Sequence, residues 1–166
     1  MKFSDIIGQI HAARAAHKSW VSRAEALVAG IPLEKEQVPL LPVDCIFGKW
    51  YYGQGQVLRS LPAFTQIEKP HEELHKIYMA IFKLLFDESD ISNLARLFGQ
   101  SKKIKAGRAE EAKAILPALR QLSDEMCELL ATLENQFVQA LKQMKTSKRN
   151  TNRQLDTITL ELDSIL

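Results

Sequence analysis

The sequence is short of most features that assign a protein to a compartment or a chemistry outright. Two cysteines in 166 residues cannot make a disulfide framework, so the fold must rest on packing or on a metal. No stretch approaches the roughly 18 consecutive apolar residues of a membrane span. The start, Met-Lys-Phe-Ser-Asp, has neither the apolar run nor the small-residue cleavage site of a secretory leader. A reducing cytoplasm is the expected location, with no membrane contact. The net charge is only +2, too small for a field that gathers nucleic acid. Strand patterns and internal repeats are absent too. What is present is a 46% apolar, 25% charged chain, the composition of one globular domain with its own core.

The apolar residues recur at helical spacing. Phe3, Ile6, Ile10, Ala13, His17, Trp20, Ala24 and Leu27 step by three and four, which predicts a first helix with one buried stripe, ending near Gly30. Pro32, Pro39 and Pro42 mark an ordered connection up to Asp44, which reads as the N-cap of a short helix from Cys45 to Tyr52, stopped by Gly53 and Gly55. Phe64, Ile67, His71, Leu74, Tyr78, Ile81 and Leu85 predict a third helix. Pro70 lies inside that register, lacks an N–H and crowds the Gln66 carbonyl, so it predicts a kink or a helix that restarts there.

A shorter helix is expected from Asp90 to Phe98, then a polar, basic break from Gly99 to Gly107. The last long helix carries Ile115, Leu119, Leu122, Met126, Leu129, Leu133, Phe137, Ala140 and Met144, a largely heptad-like seam that suits a bundle or a second copy. Polar residues from Lys145 to Gln154 interrupt it, and Leu155, Ile158, Leu162 and Ile165 resume helical spacing. The expected fold is therefore all-α, an antiparallel bundle of the four-helix type with a long C-terminal helix. Residues 1–144 form the bundle, and residues 145–166 form a polar break and a helical extension.

Four residues carry the chemistry. His71 and His75, one helical turn apart, project from one face and can reach the same metal ion. His17 sits on the apolar stripe of the first helix, where a buried imidazole needs a partner to offset its desolvation. Cys45 at a helix start is placed where the backbone N–H groups favour a thiolate. Read singly, each has an ordinary packing explanation; together, three imidazoles and one thiolate are a full tetrahedral zinc set. His11 lies at the edge of the stripe and belongs to no pair, and Cys127 has no second ligand near it in sequence, so neither is expected at the metal.

The blocks His17-Lys-Ser-Trp20, Cys45-Ile-Phe-Gly48-Lys-Trp50 and His71-Glu-Glu-Leu-His75, in this order, closely resemble the signature of the chemoreceptor zinc-binding (CZB) domain family, and Pro62-Ala-Phe64 resembles its lead-in to the histidine helix. The resemblance covers roughly residues 1 to 90 by motif. It implies a cytoplasmic helical bundle with a three-His, one-Cys zinc site, a homodimer, and service to a chemoreceptor or a diguanylate cyclase. Within the motif, Gly48 is expected to let the Cys45 helix approach the His17 helix, and Trp20 and Trp50 to wall the site from water.

No catalytic signalling domain and no methyl-accepting hairpin follow the bundle, so the output is expected from another chain, or the sequence is a sensor part without its effector. Three functions compete. The first is a regulatory zinc sensor answering zinc or an oxidant. The second is a structural helical partner stapled by zinc. The third is a zinc hydrolase, for which Glu72 completes a His-Glu-x-x-His string. No third ligand of the zincin type follows it, however, and four protein ligands leave no open position for water, so no enzyme is expected. The basic runs Lys102, Lys103, Lys105, Arg108 and Lys142, Lys145, Lys148, Arg149, Arg153 lack interleaved aromatics and read as solvated helix faces.

Overall fold

The computed structural model describes residues 2–31, 41–87 and 100–163, with the side chains of the last helix described to residue 155. The expected helix over Asp90–Phe98 and the prolines at 32 and 39 lie outside the described residues. Among these residues every regular element is helical: α1 Phe3–Val28, α2 Ile46–Tyr52, a 3-10 turn Gln54–Leu58, α3 Pro62–Gln66, α4 Glu68–Phe86 and α5 Ser101–Asp163.

The first helix ends as its sequence requires. Gly30 takes φ 76°, its N–H reaches the Leu27 carbonyl, and the Ile31 N–H reaches that of Ala26. This is the paired closure that a glycine in the left-handed region permits. Along α1, Ile6, Ile10, Ala13, His17 and Ala24 are buried, so the expected stripe faces the core, while Phe3 remains half-exposed at 49% and stacks on Phe137.

Contacts along α5 fix the topology. Phe3 meets Phe137, His11 meets Glu134, Cys127 meets the Arg14 carbonyl, and Arg120 meets Glu25, so α1 and α5 are antiparallel. The start of α3 is tied to Gln136 through the Ala63 N–H, and Arg108 donates to the Asp87 carbonyl just past α4. The α3–α4 limb therefore also runs antiparallel to α5. With α1, α3 and α4 all packed against α5, the core lies between α5 and two limbs that run parallel to each other.

Two expectations need correction. The stretch expected as a polar break before the last helix is helical from Ser101 onward, because a single exposed glycine, Gly107, weakens a helix by only about 1 kcal/mol. The polar stretch 145–154 is likewise unbroken helix; the apolar register is interrupted there, not the backbone. The Phe64–Leu85 stretch does restart near Pro70 as expected: α3 and α4 meet at Ile67, and Pro70 occupies the first turn of α4. In a first turn N–H groups have no intrahelical acceptor in any case, so a proline there breaks nothing.

The buried seam of α5 is Ala112, Leu116, Leu119, Ser123, Met126, Leu130, Leu133 and Phe137, at alternating four- and three-residue steps. It shares Leu119, Met126, Leu133 and Phe137 with the expected seam. The remaining members differ: Ile115, Leu122 and Leu129 are only partly buried, at its margin. Pro117 sits inside α5 on its exposed face, where its missing N–H removes one intrahelical bond without ending the helix.

Candidate metal centre

The site is built where α1, α2 and α4 meet. Cys45 is the N-cap of α2 and its Sγ accepts the Gly48 N–H at 3.0 Å. The expected cap, Asp44, is displaced by one residue because the sulfur itself reaches the third N–H of the helix. The short helix therefore presents its cysteine inward, 5% exposed, while α4 presents His71 and His75 from its first two turns, 0% and 2% exposed.

The ligand atoms of Cys45, His71 and His75 all lie within 4.8 Å of one another. Cys45 Sγ is 3.4 Å from His71 Nε2, close to the ~3.5 Å that separates a sulfur and a nitrogen on one tetrahedral zinc with bonds of about 2.3 and 2.0 Å. His17, 2% exposed, brings its ring centroid to 5.6 Å from that of His71. The structure thus gathers three of the four expected residues into one group and sets His17 beside it. His11 is elsewhere, paired with Glu134 at 3.0 Å, and Cys127 is buried against the Arg14 backbone.

Electrostatics show what the group lacks. Burial, with a further contribution from His75, lowers His17 from 6.5 to about 4, against a smaller opposing effect of its hydrogen bond to the Ala13 backbone. Burial, then His75 and His17, lowers His71 to about 3. Both rings are therefore neutral near neutral pH, the state in which imidazole is a ligand. Nδ1 of His17 and of His71 is buried and has no hydrogen-bond partner among the described residues, although buried polar atoms of native proteins are nearly always satisfied. Burial also pushes the Cys45 thiol up, outweighing the N–H groups of Gly48 and Phe47. The expectation that the helix start alone would favour the thiolate is thereby corrected, because desolvation wins until a cation is present. Neutral imidazoles, a sulfur and an Nε2 at a spacing that one ion can bridge, and a thiol that needs a positive charge fit one ion of borderline softness, and zinc is the metal that this donor set suits.

The surroundings differ from expectation in two places. A Cβ on Gly48 would stand 1.8 Å from the Pro42 carbonyl oxygen, so the glycine admits the preceding loop rather than the His17 helix. Cys45 is held from both sides, since its Sγ also lies 3.3 Å from the same carbonyl. The aromatic wall is Trp20, 4.6 Å from His75, together with Phe47, 5.6 Å from His17 and 5.0 Å from His71. Trp50 stands one layer out, against Phe47 and Phe64. Tyr78, buried against Trp20, is a member of this wall that spacing alone marked only as core.

No curated protein and no solved structure matches the chain. Among the described residues no helix is long and apolar enough to cross a membrane. The segment from residue 17 to residue 82, which opens on His17 and holds Cys45, His71 and His75, matches the family model of the chemoreceptor zinc-binding domain, CZB.

Proposed function

We propose that this chain is a zinc-binding sensory and regulatory module of bacterial signalling, of the chemotaxis or cyclic-di-GMP type, with His17, Cys45, His71 and His75 as the ligands of one zinc ion. The single observation that carries this reading is the convergence of three separate elements on a buried donor group inside the segment that matches the zinc-binding family. Because α2 is only seven residues long, too short to be stable by itself, a Zn–S bond to its cap ties it to the bundle. Occupancy or oxidation of Cys45 then changes how α2 packs on α1, and α5 carries the change outward. The chain acts in the cytoplasm and is no enzyme in this reading, its output lying in a chemoreceptor or cyclase chain.

A homodimer belongs to the same reading. Its support is the margin of α5, where Ile115, Leu122 and Leu129, seven residues apart, stay only partly buried. The seam itself is already covered by the chain's own helices. The second reading is a structural protein with zinc as a staple. Hydrogen exchange with and without zinc separates the two. A sensor shows reversible loss of protection confined to residues 41–58 and to parts of α5 while α1 and α4 stay protected. A staple shows either no change or global unfolding.

A further inference from the structure

The end of α5 has no use in the zinc site. From Lys142 to residue 155 every residue is exposed, so the helix leaves the bundle after Leu141; the stretch from Lys142 to residue 155 spans about 20 Å at 1.5 Å per residue. Lys142, Lys145, Lys148 and Arg149 are the only charged residues from 142 to 152. Among the described residues none of these four is paired with a carboxylate.

A rod of this sequence is a poor helix alone. Lys145–Lys148 and Lys145–Arg149 place like charges at three- and four-residue steps, which repel. Ser147, Asn150 and Asn152 favour other conformations, and Thr146 and Thr151 turn their hydroxyls back to the Lys142 and Ser147 carbonyls, a bond that weakens helices. Something that neutralises the cations would therefore be rewarded by ordering the segment. A second copy of the same rod cannot do so, because pairing would set four cations against four more and bring Lys148 near its twin.

We propose that residues 141–152 dock an acidic α-helix of a partner protein. Carboxylates of that helix face Lys142, Lys145, Lys148 and Arg149, and its apolar stripe covers Leu141 and Met144, the latter 58% exposed. A helical partner fits better than a lipid surface, because a membrane-lying helix needs a broad apolar face and this segment has only a narrow one. It fits better than duplex nucleic acid because Leu141 and Met144 lie on the same side of the rod as the four cations, and phosphates would leave those apolar side chains uncovered.

The test uses the full zinc-loaded chain and a labelled synthetic acidic peptide of about four heptads, with Leu at the seam and Glu at the flanks. Its arms are vesicles rich in phosphatidylserine and a short DNA duplex. The expected result is peptide binding that weakens about tenfold or more between low and high salt and increases amide protection over 142–152. The triple variant Lys145→Glu, Lys148→Glu, Arg149→Glu loses the acidic peptide and gains its lysine-flanked counterpart, with zinc content unchanged. Tighter binding to vesicles or DNA than to the peptide overturns the proposal, as does a triple variant that still binds the acidic peptide. Zinc content measured on the same samples reads the zinc assignment separately, since the docking segment touches no ligand.

Discussion

Gly48→Ala sets two physical effects against each other at the residue that positions Cys45. In an ordinary exposed helix interior the change stabilises by up to about 1 kcal/mol, because alanine has less conformational freedom to lose. At Gly48 the new Cβ would sit 1.8 Å from the Pro42 oxygen and 2.8 Å from its carbon, where contacts under 3.0 Å are essentially never found. The loop must therefore retreat by roughly an ångström or α2 must tilt, and overpacking of this kind costs about 1–3 kcal/mol. Both escapes move Cys45, whose Sγ lies 3.0 Å from the Gly48 nitrogen and 3.3 Å from the Pro42 oxygen. The clash outweighs the propensity gain, and zinc affinity should fall by about tenfold or more, equivalent to some 1.4 kcal/mol. Gly8→Ala is the control: it lies in α1 with nothing within 4 Å of a new Cβ and should stabilise by about 0.5–1 kcal/mol with zinc affinity unchanged. Denaturant unfolding and competition with a chromophoric chelator measure both quantities. The reasoning is refuted if Gly48→Ala is as stable and holds zinc as tightly as Gly8→Ala.

The remaining predictions concern the ligands, the core and the second cysteine. Chain purified without chelator should carry about one zinc, and Cys45→Ala or His75→Ala should each lower retention sharply; equal retention in both variants counts against the site. In the zinc-free chain the folded His17 and His71 titrate near 4 and 3, below the free value of 6.5. Stability is thus full above about pH 7 and falls as acid protonates the unfolded rings first, by a few kcal/mol towards pH 4. A flat denaturation midpoint over that range would contradict it. Leu119→Ala, at a fully buried position of α5, should cost about 2–5 kcal/mol in thermal or chemical unfolding. Sub-stoichiometric hypochlorous acid should modify zinc-bound Cys45 before Cys127, whose thiol burial pushes up, and should release zinc; mass spectrometry showing Cys127 modified first sinks the redox switch.

Much of this was legible in residue spacing. The α1 stripe and its Gly30 stop follow from a three-four periodicity and one left-handed glycine, both local properties. The grouping of Cys45, His71 and His75 was legible because ligand chemistry restricts residue type strongly, so that spaced blocks of the right residues point to one another. What escaped is what depends on neighbours. On α5 the stripes 115-122-129 and 116-123-130 are adjacent and flank the same Leu119, Met126 and Leu133, and only the packing of α1 and α4 decides which is covered; Ser123 and Ala112, being polar and small, hid the true one. Cys45 in place of Asp44 as the cap, and the Pro42 carbonyl against Gly48, are consequences of a loop path that no periodicity encodes. The continuity of α5 through 145–154 runs against local propensity and so gave no local signal.

The central claim, one zinc held by three imidazoles and one thiolate, is tested most directly by X-ray absorption at the zinc edge on the purified chain, with His17→Ala alongside. The expected first shell is one sulfur at about 2.3 Å and three nitrogens at about 2.0 Å, with one nitrogen replaced by a water oxygen or the metal lost in His17→Ala. A shell with no sulfur, or an unchanged spectrum in His17→Ala, would contradict it.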